Sequence, residues 1–289
     1  LRPRVRALAE ELLEQVDPAG FDVIEAYAEP LPVLVIAELL GVPASYAPSL
    51  RDWSQAIVRM YEYARSEQLE SSAERASKQF DAYVRALVAE RRQHPGADLI
   101  SDLVAERDGV AALSDDELVA SVVLLLNAGH EASVNTFGNG LVALLRHPDQ
   151  MGRLAGDDAV ATALEEMLRY DAPLQLFERT ATADVTIAGV AMRRGEKVAA
   201  LMGSANRDDA VFEAPERFQV GRTPNPHVGF GVGVHFCLGA PLARMELQVG
   251  LRALLGRYPH LRLVGEPLQR PTFVLRGYSR IDVDLGAAA

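Results

Sequence analysis

Apolar positions recur at helical spacing over most of the chain, and short alternating stretches interrupt them only in the second half. Residues 1–16 carry one helical pattern, broken at Asp17-Pro18-Ala19-Gly20, and a second helix runs from there through Leu40 to the stop at Gly41-Val42-Pro43. Further helices are predicted from Ala47 to Tyr63 and from Glu67 to Gln93. Ser114-Asp115-Asp116-Glu117 is a capping-box sequence, and the apolar residues from Leu118 to Leu145 follow it without a proline, so one long helix is predicted. Another helix extends from Leu238 to Leu255, with Pro241 in its first turn, where a missing N–H is harmless. Phe177–Thr182 and Asp184–Gly189 read as short strands around a tight turn, Glu196–Met202 as a further strand, and Pro271–Asp284 as a small hairpin.

The chain has 289 residues and is 49% hydrophobic, enough for a large core, and it shows no repeat, low-complexity tract or linker. One domain over 1–289 is expected, mainly α with small sheets. A net charge of −11 argues against a nucleic-acid partner. The apolar centre of the long helix ends at Asn127, well short of the roughly 20 residues a membrane span needs, so a buried central helix is expected rather than a membrane segment. No leader and no cysteine pair is seen, which makes a reducing cytoplasm the expected location.

The single cysteine, Cys237, lies between a glycine-rich turn and the start of the last long helix. Gly231, Gly233 and Gly239 permit positive φ and close backbone approach, so the loop can hug a flat ligand. A helix N-terminus favours thiolate over thiol, which suits a metal ligand. The segment is neither G-x-G-x-x-G nor a phosphate loop, since it follows Pro226-His227 rather than a strand and lacks Lys-Ser/Thr.

The full pattern, Phe230-Gly231-x-Gly233-x-His235-x-Cys237-x-Gly239 followed by Leu242-Ala243-Arg244, resembles the haem-binding loop of the cytochrome P450 family. The resemblance implies a P450-like multihelical fold with haem b as cofactor. Cys237 would be the iron ligand, Phe230 would shield the sulfur, and His235 would reach a haem propionate. A second segment, Ala128-Gly129-His130-Glu131-Ala132-Ser133 on the long helix, resembles the family's oxygen-activating motif in Ala128, Gly129 and Glu131. Gly129 in mid-helix costs about 1 kcal/mol relative to alanine, which suggests close approach of a ligand to the backbone there. The family's threonine position holds Ala132, which leaves three alternatives: Ser133 carries protons through a water, a substrate hydroxyl does so, or oxygen activation is poor. A zinc reading of His130-Glu131 fails because Val134 stands where H-E-x-x-H needs its second histidine.

By the same resemblance, Glu166 and Arg169 lock to Arg217 of Pro215-Glu216-Arg217-Phe218 as a buried cluster, and Arg179 pairs with a propionate. Leu174, Leu176, Phe177, Val274, Leu275 and Asn127 are candidate pocket residues. The implied activity is that of a haem-thiolate monooxygenase, inserting one atom of O2 into an apolar or amphipathic small molecule. Electrons would come from a ferredoxin or flavodoxin docking near Arg252 and Arg257. The alternatives are a peroxide-using or rearranging enzyme and a haem-free scaffold. Set against the family, roughly the first quarter of a typical member is expected to be missing before Leu1.

Overall fold

The computed structural model describes residues 1–105, 113–154 and 156–286. Ten α-helices lie among them: α1 (Arg2–Glu14), α2 (Pro30–Leu39), α3 (Ala47–Val58), α4 (Glu67–Gln93), α5 (Leu99–Ala105), α6 (Asp115–Leu145), α7 (Pro148–Met151), α8 (Asp157–Tyr170), α9 (Met202–Ala205) and α10 (Ala240–Arg257). Prolines fall in the first turn of α1, α2, α3, α7 and α10, where pre-set φ helps and no backbone donor is lost. The capping box forms as the sequence predicts, with Ser114 Oγ accepting from the Glu117 N–H and the Glu117 carboxylate accepting from the Ser114 N–H.

The strands are short: β1 (Phe21–Asp22), β2 (Phe177–Thr180), β3 (Val185–Ile187), β4 (Val190–Met192), β5 (Lys197–Ala200), β6 (Arg262–Leu263), β7 (Leu268–Gln269), β8 (Tyr278–Arg280) and β9 (Asp282–Asp284). They form a three-stranded sheet in the order β1-β9-β6 and the antiparallel pairs β2-β5, β3-β4 and β7-β8. The register of β2 on β5 sets Phe177 opposite Ala200 and Arg179 opposite Val198.

Four predicted elements differ in extent. The helix expected after Gly20 splits into β1, a π-turn over Ile24–Ala28 and α2. Pro30 cannot donate inside a continuing helix, and Phe21 is drawn into pairing with Val283. The helix expected to reach Tyr63 ends at Val58 and tightens into a 3₁₀ turn over Arg59–Tyr61. The strand expected to reach Met202 ends at Ala200, since Met202 opens α9. The C-terminal hairpin resolves into β8 on β7 and β9 between β1 and β6, because β9 follows β8 after Ile281 alone and pairs with different neighbours.

Two apolar clusters share α6 as their common wall. One gathers α1, α8, α10 and the second half of α6; the other gathers α2, α3, α4 and its first half. Every residue from Ser133 to Leu144 is buried. Among the described residues α6 is the one helix long and apolar enough to cross a bilayer, and this packing accounts for that composition.

Burial also decides what Gly129 is for. A Cβ there would lie 2.7 Å from Ile36 Cγ1 of α2, so the close approach comes from a neighbouring helix and not, as the sequence suggested, from a ligand face. Gly129→Val is therefore expected to destabilise the fold by about 1–3 kcal/mol through overpacking. Urea unfolding of the two proteins checks this, and equal midpoints would refute it.

Candidate active site

The loop ahead of α10 is built from backbone hydrogen bonds. The Cys237 N–H donates to Phe230 O (2.9 Å), the Gly231 N–H to Val228 O (2.8 Å) and the Phe236 N–H to Gly233 O (3.0 Å), so the chain folds back on itself around the cysteine. Gly231 (φ +72°) and Gly233 (φ +70°) occupy the left-handed region that such a turn requires. Gly239 does not: as the N-cap of α10 it has φ −80°, and a Cβ there would meet only Cys237 Sγ at 3.9 Å. Cys237 is exposed, two residues ahead of that cap, and Val234, Phe236 and Leu238 are exposed beside it.

A polar brace fixes the loop from below. Arg244 Nε and Nη2 donate to the two oxygens of Glu165 (2.7 and 2.8 Å), and the His227 ring meets the same carboxylate at 2.8 Å. Burial alone would raise the Glu165 pKa, but these donors carry it down to about 2. The Arg244 guanidinium lies 4.4 Å from the centre of the Phe230 ring, which packs against the larger core cluster. Asn206 Oδ1 accepts from the Val228 N–H (2.8 Å), tying the loop to the segment after α9.

Behind the brace stands a wholly buried ion cluster. All five N–H donors of Arg169, which is 0% exposed, are used: two on Glu166 and three on the carbonyls of Asn206, Pro215 and Arg217. The second cation is Arg222, whose Nε donates to both oxygens of Glu166 (3.2 and 3.0 Å). Arg217, expected in that role, supplies only its carbonyl, and its guanidinium points to solvent near Glu216. The burial of Phe218 against Tyr170 and His147 turns the preceding side chain outward.

On α6 the predicted motif divides between two surroundings. Leu124, Ala128 and Ala132, each four residues apart, form an exposed stripe on a helix otherwise largely buried. Glu131 is 4% exposed and pairs with Arg270 Nη1 at 3.0 Å, while His130 is 1% exposed with Nδ1 on Leu126 O and Nε2 unpartnered. Burial lowers the His130 pKa, so the ring is neutral there. Ser133 does not face the stripe: it is 6% exposed, and its Oγ donates to Glu246 Oε1 of α10 at 2.5 Å. Burial pushes the Glu246 carboxyl up to about 8, although the bond to Ser133 opposes the rise.

The remaining candidates are scattered around these parts. Arg179 is exposed, stacked on Phe177, and like His235 has no carboxylate partner among the described residues. Leu174 bridges Leu275 across the chain, Leu176 and Val274 are buried, and Phe177 is 45% exposed. Asn127 is buried with Oδ1 unpartnered. Arg252 stands in an exposed ion pair with Asp157. No group of three or more His, Cys, Asp and Glu side chains placed to hold a metal ion occurs among the described residues. Glu246, Arg222 and His227 escaped the sequence reading; a carboxylate placed among the apolar positions of α10 was the one local sign of Glu246.

The cytochrome P450 family profile matches residues 47–157 and 159–278. The chain belongs to the cytochrome P450 family. It is 38% identical over 285 residues to the biotin biosynthesis cytochrome P450 of Bacillus subtilis, covering 98% of this chain and 72% of that protein. It is 41% identical over 291 residues to 6-deoxyerythronolide B hydroxylase of Saccharopolyspora erythraea, covering 99% and 71%. Among solved structures, P450BioI in complex with hexadec-9Z-enoic acid ligated acyl carrier protein superposes with a TM-score of 0.93 at 38% identity, over 98% of this chain and 74% of that one. Mycobacterium smegmatis CYP164A2 does so with a TM-score of 0.93 at 40% identity. This P450 therefore has the mainly helical family fold and belongs among bacterial oxidoreductases, the monooxygenases that hydroxylate or otherwise oxygenate small molecules.

Proposed function

We propose that this P450 binds haem b through Cys237 and inserts one oxygen atom from O2 into an apolar or amphipathic small molecule. The observation that carries the reading is the exposed cysteine at the tip of a loop braced from below by Arg244 and Glu165, with a fringe of exposed apolar side chains around it. Val234 is 97% exposed and Leu238 86%, surface that a flat apolar ligand would cover. The exposed Leu124, Ala128 and Ala132 stripe offers a second apolar wall, and small side chains there leave room for a planar ring. The Arg179 guanidinium and the His235 ring, neither with a carboxylate partner among the described residues, suit the propionates of a haem. The residues present thus fit the group.

Haem held there supplies oxygen chemistry, the thiolate donating electron density that favours O–O cleavage. The chain's own part is to hold and place. Phe230 screens the sulfur side, Arg244 stacked on it fixes the ring, and Glu131 keeps its charge paired with Arg270. With Ala132 in place of a hydroxyl, Ser133 Oγ and Glu246, whose carboxyl burial pushes up to about 8, form a buried pair able to hold a proton one residue along α6 from Ala132. Electrons would come from a ferredoxin or flavodoxin, in the cytoplasm. The exposed Ala132 also supports a second reading, a peroxide-using enzyme, which forms product with peroxide and without reductase.

The test is the reduced, carbon-monoxide-treated spectrum of the haem-loaded protein. A red-shifted Soret band is expected from sulfur ligation. An unshifted band, or no haem uptake, would overturn the proposal.

A further inference from the structure

Two neighbouring carboxylates on α8 serve two separate structures. Glu166 turns into the buried cluster with Arg169 and Arg222, whereas Glu165, about 100° away around the helix, turns to the cysteine loop. Glu165 meets that loop at both of its feet. His227 stands before the glycine-rich turn and Arg244 stands after it, on α10, and both donate to the one carboxylate.

Each partner is held in a single state. The Gly229 N–H donates to His227 Nδ1 (3.1 Å), so the ring proton lies on Nε2 and is the one given to Glu165 Oε2 (2.8 Å). Nε and Nη2 of Arg244 bind the two oxygens of the carboxylate as a planar fork. The same guanidinium packs on Phe230, and Phe230 O accepts the Cys237 N–H (2.9 Å). Contacts therefore run without a break from Glu165 through Arg244 and Phe230 to the backbone of the cysteine.

Charge is arranged along the same path. The Arg244 pKa is raised, first by the bonds to Glu165 and last by charge on Cys237, with burial opposing, so guanidinium and sulfur lie within electrostatic reach of each other. Glu165 and Arg244 together present no net charge to the sulfur side of the loop, and His227 in its Nε2–H form adds none. Groups just outside a metal's own ligands tune the metal through such charge and orientation.

We infer that Glu165 is a positioning residue for the thiolate: it clamps the two feet of the loop together and cancels the Arg244 charge that would otherwise draw electron density away from the Cys237 sulfur. This rests on the reading of Cys237 as the iron ligand.

Amide hydrogen exchange on the whole chain tests the clamp without haem. In Glu165→Gln the Gly229, Gly231 and Cys237 amides should exchange roughly tenfold faster, as expected for losing charge-assisted bonds, while the amides of α6 keep the parent rates. The reduction potential of the haem-loaded protein reads the charge. Glu165→Gln leaves Arg244 uncompensated and should raise the ferrous-to-ferric ratio at a fixed potential about tenfold, which is about 59 mV upward. Arg244→Gln leaves the carboxylate uncompensated and should shift the potential downward by a similar amount. The double variant, neutral again, should return close to the parent potential although its three amides still exchange fast. Lost packing alone would move both single variants the same way. Unchanged exchange at the three amides, faster exchange throughout the protein, or potential shifts of one sign in both single variants would each overturn the inference. If the parent itself shows no red-shifted band, the proposed chemistry falls, and the exchange rates still decide the clamp.

Discussion

Arg169→Ala should leave little folded protein. Its guanidinium is fully buried with all five donors used, and removing it leaves the Glu166 carboxylate to Arg222 alone and frees the carbonyls of Asn206 and Pro215, while Arg217 O keeps its bond from Arg222. Breaking a buried pair of this kind costs about 3–5 kcal/mol, a large fraction of the roughly 5–15 kcal/mol that holds an ordinary domain together. The consequence reaches the site because Asn206, one of those carbonyl partners, also fixes Val228 at the base of the cysteine loop. Soluble yield and haem content of the expressed variant read both effects, and a soluble variant with a normal haem complement would contradict the account. Arg222→Ala should behave alike, whereas Arg217→Ala, whose side chain is 74% exposed, should stay within about 0.5 kcal/mol of the parent.

That contrast marks the boundary of what the sequence discloses. Glu166 and Arg169 sit three apart on one helix, a spacing that puts both on one face whatever surrounds them, and the cysteine loop is specified by its own glycines. The helix from Glu67 to Gln93 was readable for the same reason, since its cap, period and stop are all local. The choice between Arg217 and Arg222 is different, because it turns on which side of an irregular segment Phe218 buries. Gly129 is similar: the sequence shows that a side chain is absent, but only the packing of α2 shows that Ile36 fills the space. Likewise Ser133 is one residue from Ala132 in sequence and about 100° away around the helix, so its neighbour is Glu246 and not the stripe.

The same pair yields the second large effect, on the pH dependence of stability. Glu246 is buried on α10 with Oε2 unpartnered, and its pKa rises from 4.5 to about 8, desolvation outweighing the bond from Ser133. Between those values the folded chain keeps a proton that the unfolded chain releases, so the contribution of this group to stability is fully present below pH 4.5 and is lost as pH climbs to 8. At about 1.4 kcal/mol for each pH unit, the loss across the whole window is on the order of 5 kcal/mol, with roughly half or more already incurred at pH 7. Glu246→Gln preserves shape and a polar partner for Ser133 while removing the titration, so its urea midpoint should vary less between pH 5 and pH 9 and exceed the parent's at the alkaline end. Ser133→Ala should act in the opposite sense, since the hydroxyl bond is what holds the carboxyl down, and should steepen the decline. Parallel stability profiles for the parent and Glu246→Gln would show that the carboxyl is ionised in the folded chain. It would then have no proton to hold behind the stripe.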